Sequence, residues 1–284
     1  MTRRNFVPLL VCPSLARKAR SQSRQNPSPM VEHTRAHERL AQRDWSSRKE
    51  TLSLGTLFLP ERYRSGKLLV FFHGGTWLPE EAVSRRGDVA ALSVHISGTS
   101  DGYVQAFSAA DRFERLVKEA ESKSGLEFRA IAMGGWSAGC GAIRTILREG
   151  RHYERVRSVL ALDGIHTSYV NGTPGPLESA LDTQHLEIYA KLARDAMDGD
   201  KQLLITHTEI FPGTFASTTE TADWIVRETG AQRKAVLKWG PRRTQQLSEV
   251  RQGKLWIMGF AGNSAPDHVD QLHSLPEYLK FVHW

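Results

Sequence analysis

Cysteine is scarce in this chain. Only two of its 284 residues are cysteine, Cys12 and Cys140, so a disulfide scaffold is excluded, and no group of Cys and His residues has the spacing of a structural metal site. Long apolar runs are also missing, because nowhere do about 18 consecutive apolar residues occur. The sequence therefore predicts no transmembrane segment and no structural metal in the body of the protein.

Acidic residues are absent from the start of the chain, where the first one is Glu32. The basic residues before it account for six of the formal net charge of +7, so the remainder is close to neutral. A near-neutral body without a basic stripe interleaved with aromatic residues argues against nucleic-acid binding. A surface- or polyanion-binding protein stays as a rival hypothesis, and it predicts that binding vanishes when residues 1–47 are deleted.

The first 47 residues differ from the rest, because they are basic and then rich in Ser, Gln, Asn and Pro. Thr2–Val7 carries two arginines ahead of a short apolar run, and it resembles a twin-arginine export motif. Pro8 and Pro13 interrupt that run, as they would in a basic disordered tail. We therefore divide the chain into a leader or linker at residues 1–47 and a folded domain at residues 48–284. Export to the periplasm or the outside is favoured over a cytoplasmic location.

From about Thr51 onward, strand-like and helix-like segments alternate. Leu68–Phe72 is a continuous apolar run, which is typical of a strand buried on both faces. The other predicted strands are 51–59, 90–96, 128–133, 156–162, 203–206 and 255–260, and the predicted helices include 109–122, 140–148 and 219–229. This alternation predicts an α/β fold with a mainly parallel central sheet and helices on both faces. Residues 165–197 are too long for a simple crossover, so we expect a small helical cap there.

The pentapeptide Gly135–Gly139, with Ser137 at its centre, has the G-x-S-x-G pattern. It follows a predicted strand and precedes a predicted helix, which is the setting of a nucleophile elbow. A tight turn there strains the backbone of the serine, and Cβ atoms at positions 135 and 139 would collide with backbone. We predict that Ser137 is a nucleophile, while a glycine-rich loop for close packing is the alternative. Cys140 is predicted to be a small buried residue and not a nucleophile.

A second motif, His73–Trp77, comes directly after the predicted strand 68–72 and has the sequence His-Gly-Gly-Thr-Trp. It resembles the HGG oxyanion loop of esterases and lipases, whose backbone N–H groups bind the negative oxygen of a tetrahedral intermediate. That resemblance implies that the N–H of Gly75 or Thr76 acts together with the N–H of Ala138. His73 is then a structural residue and not the general base.

The order of these motifs, from about residue 51 to the end, resembles that of the α/β-hydrolase fold family and of its carboxylesterase- and lipase-like members in particular. The family order is nucleophile, acid, histidine, with the histidine after the last strand. Here His268 follows the last predicted strand, 255–260, and matches the base. His273 is the second choice, because a helix beginning near Val269 would carry it away from the loop.

Two carboxylates fit the position of the acid. Asp163 ends the predicted strand 156–162, where an acid can be held rigidly against an imidazole. Glu209 follows the predicted strand 203–206 and has the more usual placement in the family. We favour Asp163 and keep Glu209 as the second choice, since an aspartate at this point can also cap a turn or helix.

The resemblance implies a serine hydrolase that cleaves small carboxylic esters through an acyl-enzyme intermediate, without a metal or other cofactor. A peptidase or amidase with the same triad is the nearest alternative. A non-catalytic binding protein that keeps the elbow as scaffold is another, but it would be expected to have lost Ser137 or the histidines after the last strand. The loops that determine substrate choice follow no motif, so the natural ester and the oligomeric state stay open.

Overall fold

A computed structural model describes residues 36–172 and 179–284. Its strands, β1 to β10 in chain order, are Arg48–Thr51, Thr56–Leu59, Lys67–Phe72, Ala90–Val94, Ala130–Trp136, Val156–Leu162, Gln202–Thr208, Arg233–Trp239, Gln245–Gln252 and Leu255–Phe260. The helices, α1 to α9, are Trp77–Arg86, Ser100–Ala106, Arg112–Ser124, Cys140–Leu147, Gly150–Arg155, Glu187–Asp198, Thr218–Thr229, Ala265–His273 and Leu275–Tyr278. The proposed export motif lies outside the described residues.

All ten strands form one sheet, in the order β1-β2-β4-β3-β5-β6-β7-β10-β9-β8. The six central strands, from β4 to β10, are parallel to one another. The strands at the two edges, β1 with β2 and β9 with β8, pair antiparallel. The predicted α/β fold with a mainly parallel central sheet is therefore confirmed.

Helices cover both faces of the sheet, and the continuous apolar run of β3 shows why. Its side chains alternate between two apolar clusters, with Leu68, Val70 and Phe72 in one and Leu69 and Phe71 in the other. The first cluster includes residues of α3, α4, α6 and α7, and the second includes residues of α1, α8 and α9. A strand that faces helices on both sides has no polar face, so its sequence reads as an unbroken apolar run.

The predicted strand 51–59 is two strands and not one. β1 and β2 form an antiparallel hairpin whose turn is closed by a hydrogen bond from the Leu52 N–H to the Gly55 carbonyl (3.0 Å). Gly55 has a φ of 99°, a conformation that favours glycine. The apolar and polar residues keep alternating through this turn, which is why the sequence pattern suggested a single strand.

The segment in which we expected a helical cap contains one regular helix over its described residues, and that helix lies against the sheet. α6 buries Tyr189, Leu192 and Ala193 in the main apolar cluster. Ahead of α6 the described chain forms short 3₁₀ turns and one isolated bridge between Tyr169 and Leu181. The described residues between β6 and α6 are therefore built of turns.

Residues 36–47 form no helix or strand, but they pack against the domain. His37 Nδ1 lies 2.9 Å from a carboxylate oxygen of Asp270 in α8, and the Leu40 N–H donates to His273 Nδ1 at 2.9 Å. Trp45 Nε1 donates to Glu81 of α1 at 2.7 Å. This end of the linker is thus attached to two helices of the domain. No helix in the described ranges has the length and apolar character needed to cross a bilayer.

Candidate active site

Ser137 stands at the turn between β5 and α4, with a φ of 51°. A single 3₁₀ turn, Ser137–Gly139, joins the strand to the helix. A Cβ atom on Gly135 would lie 2.9 Å from the backbone carbon of Gly139, and a Cβ on Gly139 would overlap the carbonyl oxygen of Phe72. The flanking glycines therefore allow the tight turn that holds the serine in a strained conformation.

The contact of Gly139 with the backbone of β3 leads to a stability prediction. We expect Gly139→Ala to lower the free energy of unfolding by about 1–3 kcal/mol or more, because the new methyl group meets backbone and not a movable side chain. Urea denaturation followed by circular dichroism measures the change. Gly150→Ala is the matched control, since a Cβ there meets nothing within 4 Å. Equal stability of the two variants would contradict the tight elbow.

Asp163 follows β6 and contacts the imidazole of His268. Its side chain is only 1% exposed, and its Oδ2 accepts a hydrogen bond from His268 Nδ1 at 2.7 Å. The carboxylate also accepts from the backbone N–H of Thr208 at 2.9 Å and from the hydroxyl of Thr218 at 2.5 Å. Because Nδ1 donates to the carboxylate, Nε2 is left as the proton acceptor of the ring.

The hydrogen bonds around Asp163 keep it ionised. Burial by itself raises the pKa of this carboxyl, but the bonds from His268 and the two threonines outweigh burial and hold the pKa below its ordinary value. A buried carboxylate with a low pKa stays negative at neutral pH, and it stabilises a positive charge on the imidazole next to it.

His268 lies in the first turn of α8, which begins at Ala265. The expected helix start near Val269 is therefore wrong by four residues. The helix starts early because Ser264 and Asp267 form a capping box, in which the N–H of Ser264 donates to the Asp267 carboxylate at 3.0 Å. The histidine is thus positioned by the first turn of a helix and not by a free loop.

A row of rings extends from His268 across the site. The ring of Trp136 lies 4.5 Å from that of His268, and its Nε1–H donates to the His268 carbonyl at 3.0 Å. Trp136 also stacks on His73 at 5.4 Å, and His73 stacks on His95 at the same distance. Trp136 therefore positions both the ring and the backbone of the histidine, a role that its place inside the pentapeptide did not reveal.

His73 is held by its neighbours. The hydroxyl of Tyr103 accepts from the Ile96 N–H at 2.9 Å and donates to His73 Nδ1, 3.1 Å away. Burial and the adjacent His95 lower the pKa of His73. A neutral, hydrogen-bonded ring fits the structural role expected for this residue.

The second choices of acid and base have other contacts. The Glu209 N–H donates to the Gly262 carbonyl at 3.0 Å, and its side chain accepts from the Gly262 N–H at 3.4 Å. His273 is the last residue of α8, and its Nδ1 accepts from the Leu40 N–H. Burial and nearby arginines lower the pKa of His273 to about 4. The structure therefore brings Asp163 and His268 together and ties Glu209 and His273 to loop or linker backbone.

The loops that contain the HGG and G-x-S-x-G motifs follow the neighbouring strands β3 and β5 at the same edge of the sheet. Phe72 and Gly135 are register partners at the ends of β3 and β5, and the chain turns at Gly74 with a φ of 94°. Gly75 is half-buried, Thr76 is exposed at the start of α1, and Ala138 lies beside the nucleophile candidate. The proposed oxyanion donors are therefore carried by adjacent loops.

Ser137 borders two cavities. One has a volume of about 260 Å³ and is lined by Asp163, His268 and an apolar group consisting of Ile210, Pro212 and Phe215. The other has a volume of about 410 Å³ and is more polar, with His73, Asp101 and Arg144 in its wall. His166 and Phe215 line both cavities and their rings meet edge to face at 5.1 Å. A ligand bound at Ser137 has space on either side.

Cys140 is buried one residue beyond the elbow, with its Sγ 3.5 Å from the Gly135 carbonyl. Burial raises the pKa of this thiol to about 12, so it stays protonated between pH 7 and pH 9 and has almost no nucleophilic thiolate.

We expect iodoacetamide to leave Cys140 unmodified in the native protein at pH 8 and to alkylate it after denaturation in urea. Peptide mapping by mass spectrometry measures both. Alkylation of Cys140 in the native protein would contradict its burial.

No protein-family model and no curated protein sequence matches the chain. Among solved structures it is similar to an acetyl xylan esterase from Aspergillus awamori, at 16% identity and a TM-score of 0.50, over 84% of this chain and 100% of that one. It is also similar to a zinc-bound cold-adapted esterase from an Arctic intertidal metagenomic library, at 12% identity and a TM-score of 0.47, over 82% of this chain and 92% of that one. The first of these similarities concerns the fold alone, and the second is too weak to add to it. The sheet order and the likeness to the first structure show that the chain has the α/β-hydrolase fold expected from its motifs.

Proposed function

We propose that the protein is a serine hydrolase that cleaves carboxylic esters through an acyl-enzyme intermediate. Ser137 is the nucleophile, His268 the general base and Asp163 the acid of the triad. The observation that supports this most strongly is the 2.7 Å hydrogen bond from His268 Nδ1 to the buried Asp163, beside a cavity that Ser137 and His268 both line. The similarity of the fold to that of an acetyl xylan esterase is consistent with the proposal.

In the acylation step, His268 Nε2 takes the proton from Ser137 Oγ while Oγ attacks the carbonyl carbon of the ester. A bond forms between Oγ and that carbon, and the carbonyl π electrons move to its oxygen. When the tetrahedral intermediate collapses, the bond to the alcohol oxygen breaks and His268 gives its proton to the leaving alcohol. The negative Asp163 stabilises the imidazolium present between these two proton transfers.

The negative oxygen of the intermediate is assigned to the backbone N–H of Ala138 and to that of Gly75 or Thr76. Ala138 directly follows the nucleophile, and Gly75 and Thr76 follow the adjacent strand β3. Such donors are fixed before the reaction, so they stabilise the developing charge without reorganising, and losing one typically raises the barrier by about 3–4 kcal/mol.

Deacylation repeats the chemistry with water in place of the serine. His268 Nε2 takes a proton from water, the water oxygen attacks the acyl carbon, and the proton then returns to Ser137 Oγ as the acid is released. Every proton in the cycle passes through one imidazole nitrogen. The reaction therefore depends on the tautomer that Asp163 maintains.

Labelling with a fluorophosphonate probe tests the proposal, because the probe forms a bond to phosphorus only with an activated serine. We expect one covalent adduct, located on Ser137 by peptide mapping, and no adduct in Ser137→Ala. Ser168→Ala is the matched control, since Ser168 is exposed in the wall of the larger cavity, and it should be labelled like the wild type. No adduct on the folded wild-type protein, or an adduct on another residue, would contradict the proposal.

A further inference from the structure

Arg144 lies on α4 and contributes to the wall of the larger cavity beside Ser137. Its side chain belongs to the buried set, with 7% of its surface exposed. Arginine is rarely buried this far unless its charge is paired. The contacts of this guanidinium group therefore indicate what the cavity is suited to bind.

The guanidinium makes little use of its hydrogen-bonding capacity. Nη1 donates to the backbone carbonyl of His166 at 3.1 Å, and within the described ranges no carboxylate forms an ion pair with Arg144. A guanidinium has five N–H donors. None of the Arg144 nitrogens is both sealed from solvent and unbonded. Because Arg144 lines the larger cavity, its unused donors are open to a ligand there.

Two other arginines in this protein form ion pairs with buried carboxylates. Arg85 pairs with the buried Glu81 at 2.6 Å, and Arg39 pairs with the buried Asp270 at 2.6 Å. A buried charge without a counter-charge is unfavourable. Arg144 differs from these two in that it has no carboxylate partner among the described residues and lines a cavity large enough for a ligand.

Among the described residues that line this cavity, no group other than Arg144 carries a positive charge near pH 7. Burial lowers the pKa of His166 to about 4 and also lowers the pKa of His185, so both rings are neutral near pH 7. Asp101 lies exposed in the cavity wall and does not pair with Arg144. The guanidinium of Arg144 is therefore available to an anionic ligand, and its planar fork matches the two oxygens of a carboxylate.

We propose that Arg144 binds a carboxylate of the substrate, so that the preferred esters are monoanions in which a second carboxyl group sits in the larger cavity. This inference rests on the proposed function. The planar guanidinium pairs with the carboxylate through two parallel hydrogen bonds while the ester carbonyl lies at Ser137. The substrates are then half-esters of short dicarboxylic acids, or esters of an alcohol that carries a carboxylate.

Two matched pairs of esters test the proposal, one for each side of the scissile bond. p-Nitrophenyl hydrogen glutarate is compared with p-nitrophenyl valerate, and 3-carboxyphenyl acetate with phenyl acetate. We expect wild-type kcat/KM to favour the charged member of at least one pair by about tenfold or more, the size of a charge-assisted hydrogen bond. Equal values in both pairs, or a preference for the neutral esters, would overturn the proposal.

Variants on the same helix assign the preference to Arg144. Arg144→Gln should remove the preference, mainly through KM, whereas Arg148→Gln should keep it. Arg148 caps the same helix but is exposed and donates to the Gln184 carbonyl at 3.2 Å, so it controls for the loss of one positive charge. If Arg144→Gln does not fold, Arg144→Lys keeps the charge without the planar fork and should weaken the preference. If the folded Arg144 variant prefers the charged esters as strongly as the wild type does, the proposal is overturned.

A binding measurement separates this inference from the proposed function. Ser137→Ala protein is titrated by calorimetry with monoethyl glutarate and with ethyl valerate. Binding of the charged ester that disappears in the Ser137→Ala and Arg144→Gln double variant supports the carboxylate site, even if the wild-type protein turns over no ester and the proposed function fails. Turnover of neutral esters without selective binding of the charged one overturns the carboxylate site alone.

Discussion

Replacing Ser137 with alanine is expected to lower kcat for p-nitrophenyl acetate by about 10⁶-fold, the loss seen when the nucleophile of a serine triad is removed. The variant keeps the cavities and the proposed oxyanion donors, but no oxygen is left at the turn to form the proposed acyl-enzyme. Stopped-flow measurement of p-nitrophenol release gives both the burst and the steady-state rate, and the variant should lack the burst.

The control for this experiment is again Ser168→Ala, because that serine also borders the larger cavity and should retain the rate of the wild type. Circular dichroism verifies that both variants fold. Turnover by pure Ser137→Ala within tenfold of the wild type would mean that another group attacks the ester, and the assignment of the nucleophile would be wrong.

The central strands could be predicted from the sequence because burial on both faces leaves a local trace. β3 is apolar after Lys67, and β6 is apolar apart from Arg157 and Ser158. The predicted ranges 68–72 and 156–162 accordingly fall within one residue of the observed ones. The strand order is not local, since it depends on which helices pack on which face, but the fold class follows from the alternation alone.

The antiparallel edge formed by β8 and β9 was not predicted, for a physical reason. β8 has no buried residue, and Leu237 and Trp239 are exposed on it. It is held by pairing with β9. A strand stabilised by its neighbour and not by a buried face shows neither an apolar run nor a regular alternation.

In the candidate site, too, some features could be recognised in the sequence and others depend on contacts between distant residues. The glycines around Ser137 are local requirements of the turn and could be recognised in the sequence. The contact of His268 with Asp163 joins residues 105 positions apart, and both Asp163 and Glu209 follow parallel strands, so sequence alone could only rank them. The burial of Arg144 without a carboxylate partner among the described residues likewise cannot be predicted from sequence, because it depends on the elements that pack around α4.

The second large effect is expected for Asp163→Asn, which should lower kcat by about 10⁴-fold with little change in KM. The amide has nearly the shape of the carboxylate, so the Thr208 N–H and the Thr218 hydroxyl, which donate to Oδ1, can still donate to the amide oxygen. Its NH₂ group can donate to His268 Nδ1, which favours the tautomer with the proton on Nε2, and an amide does not stabilise the imidazolium. Steady-state kinetics with p-nitrophenyl acetate measures the loss.

The same variant has an expected pH dependence of stability. The pKa of Asp163 is lowered in the folded protein, from an unfolded value of about 3.9. The carboxylate therefore stabilises the fold fully above that value, and this contribution is lost as the pH falls through the folded pKa. Urea denaturation of wild type and Asp163→Asn at several pH values should show the wild-type advantage at pH 7 shrinking below about pH 4.

Glu209→Gln is the matched control for the acid, because it makes the same chemical change in a carboxylate that contacts the backbone of Gly262. We expect its kcat to fall far less than that of Asp163→Asn, since its loss does not change the tautomer of His268. A loss of about 10⁴-fold in Glu209→Gln, with Asp163→Asn mild, would reverse the assignment of the acid but leave Ser137 and His268 in place. Mild effects in both variants would instead show that the reaction does not depend on a carboxylate to orient the histidine, and the triad mechanism itself would fail.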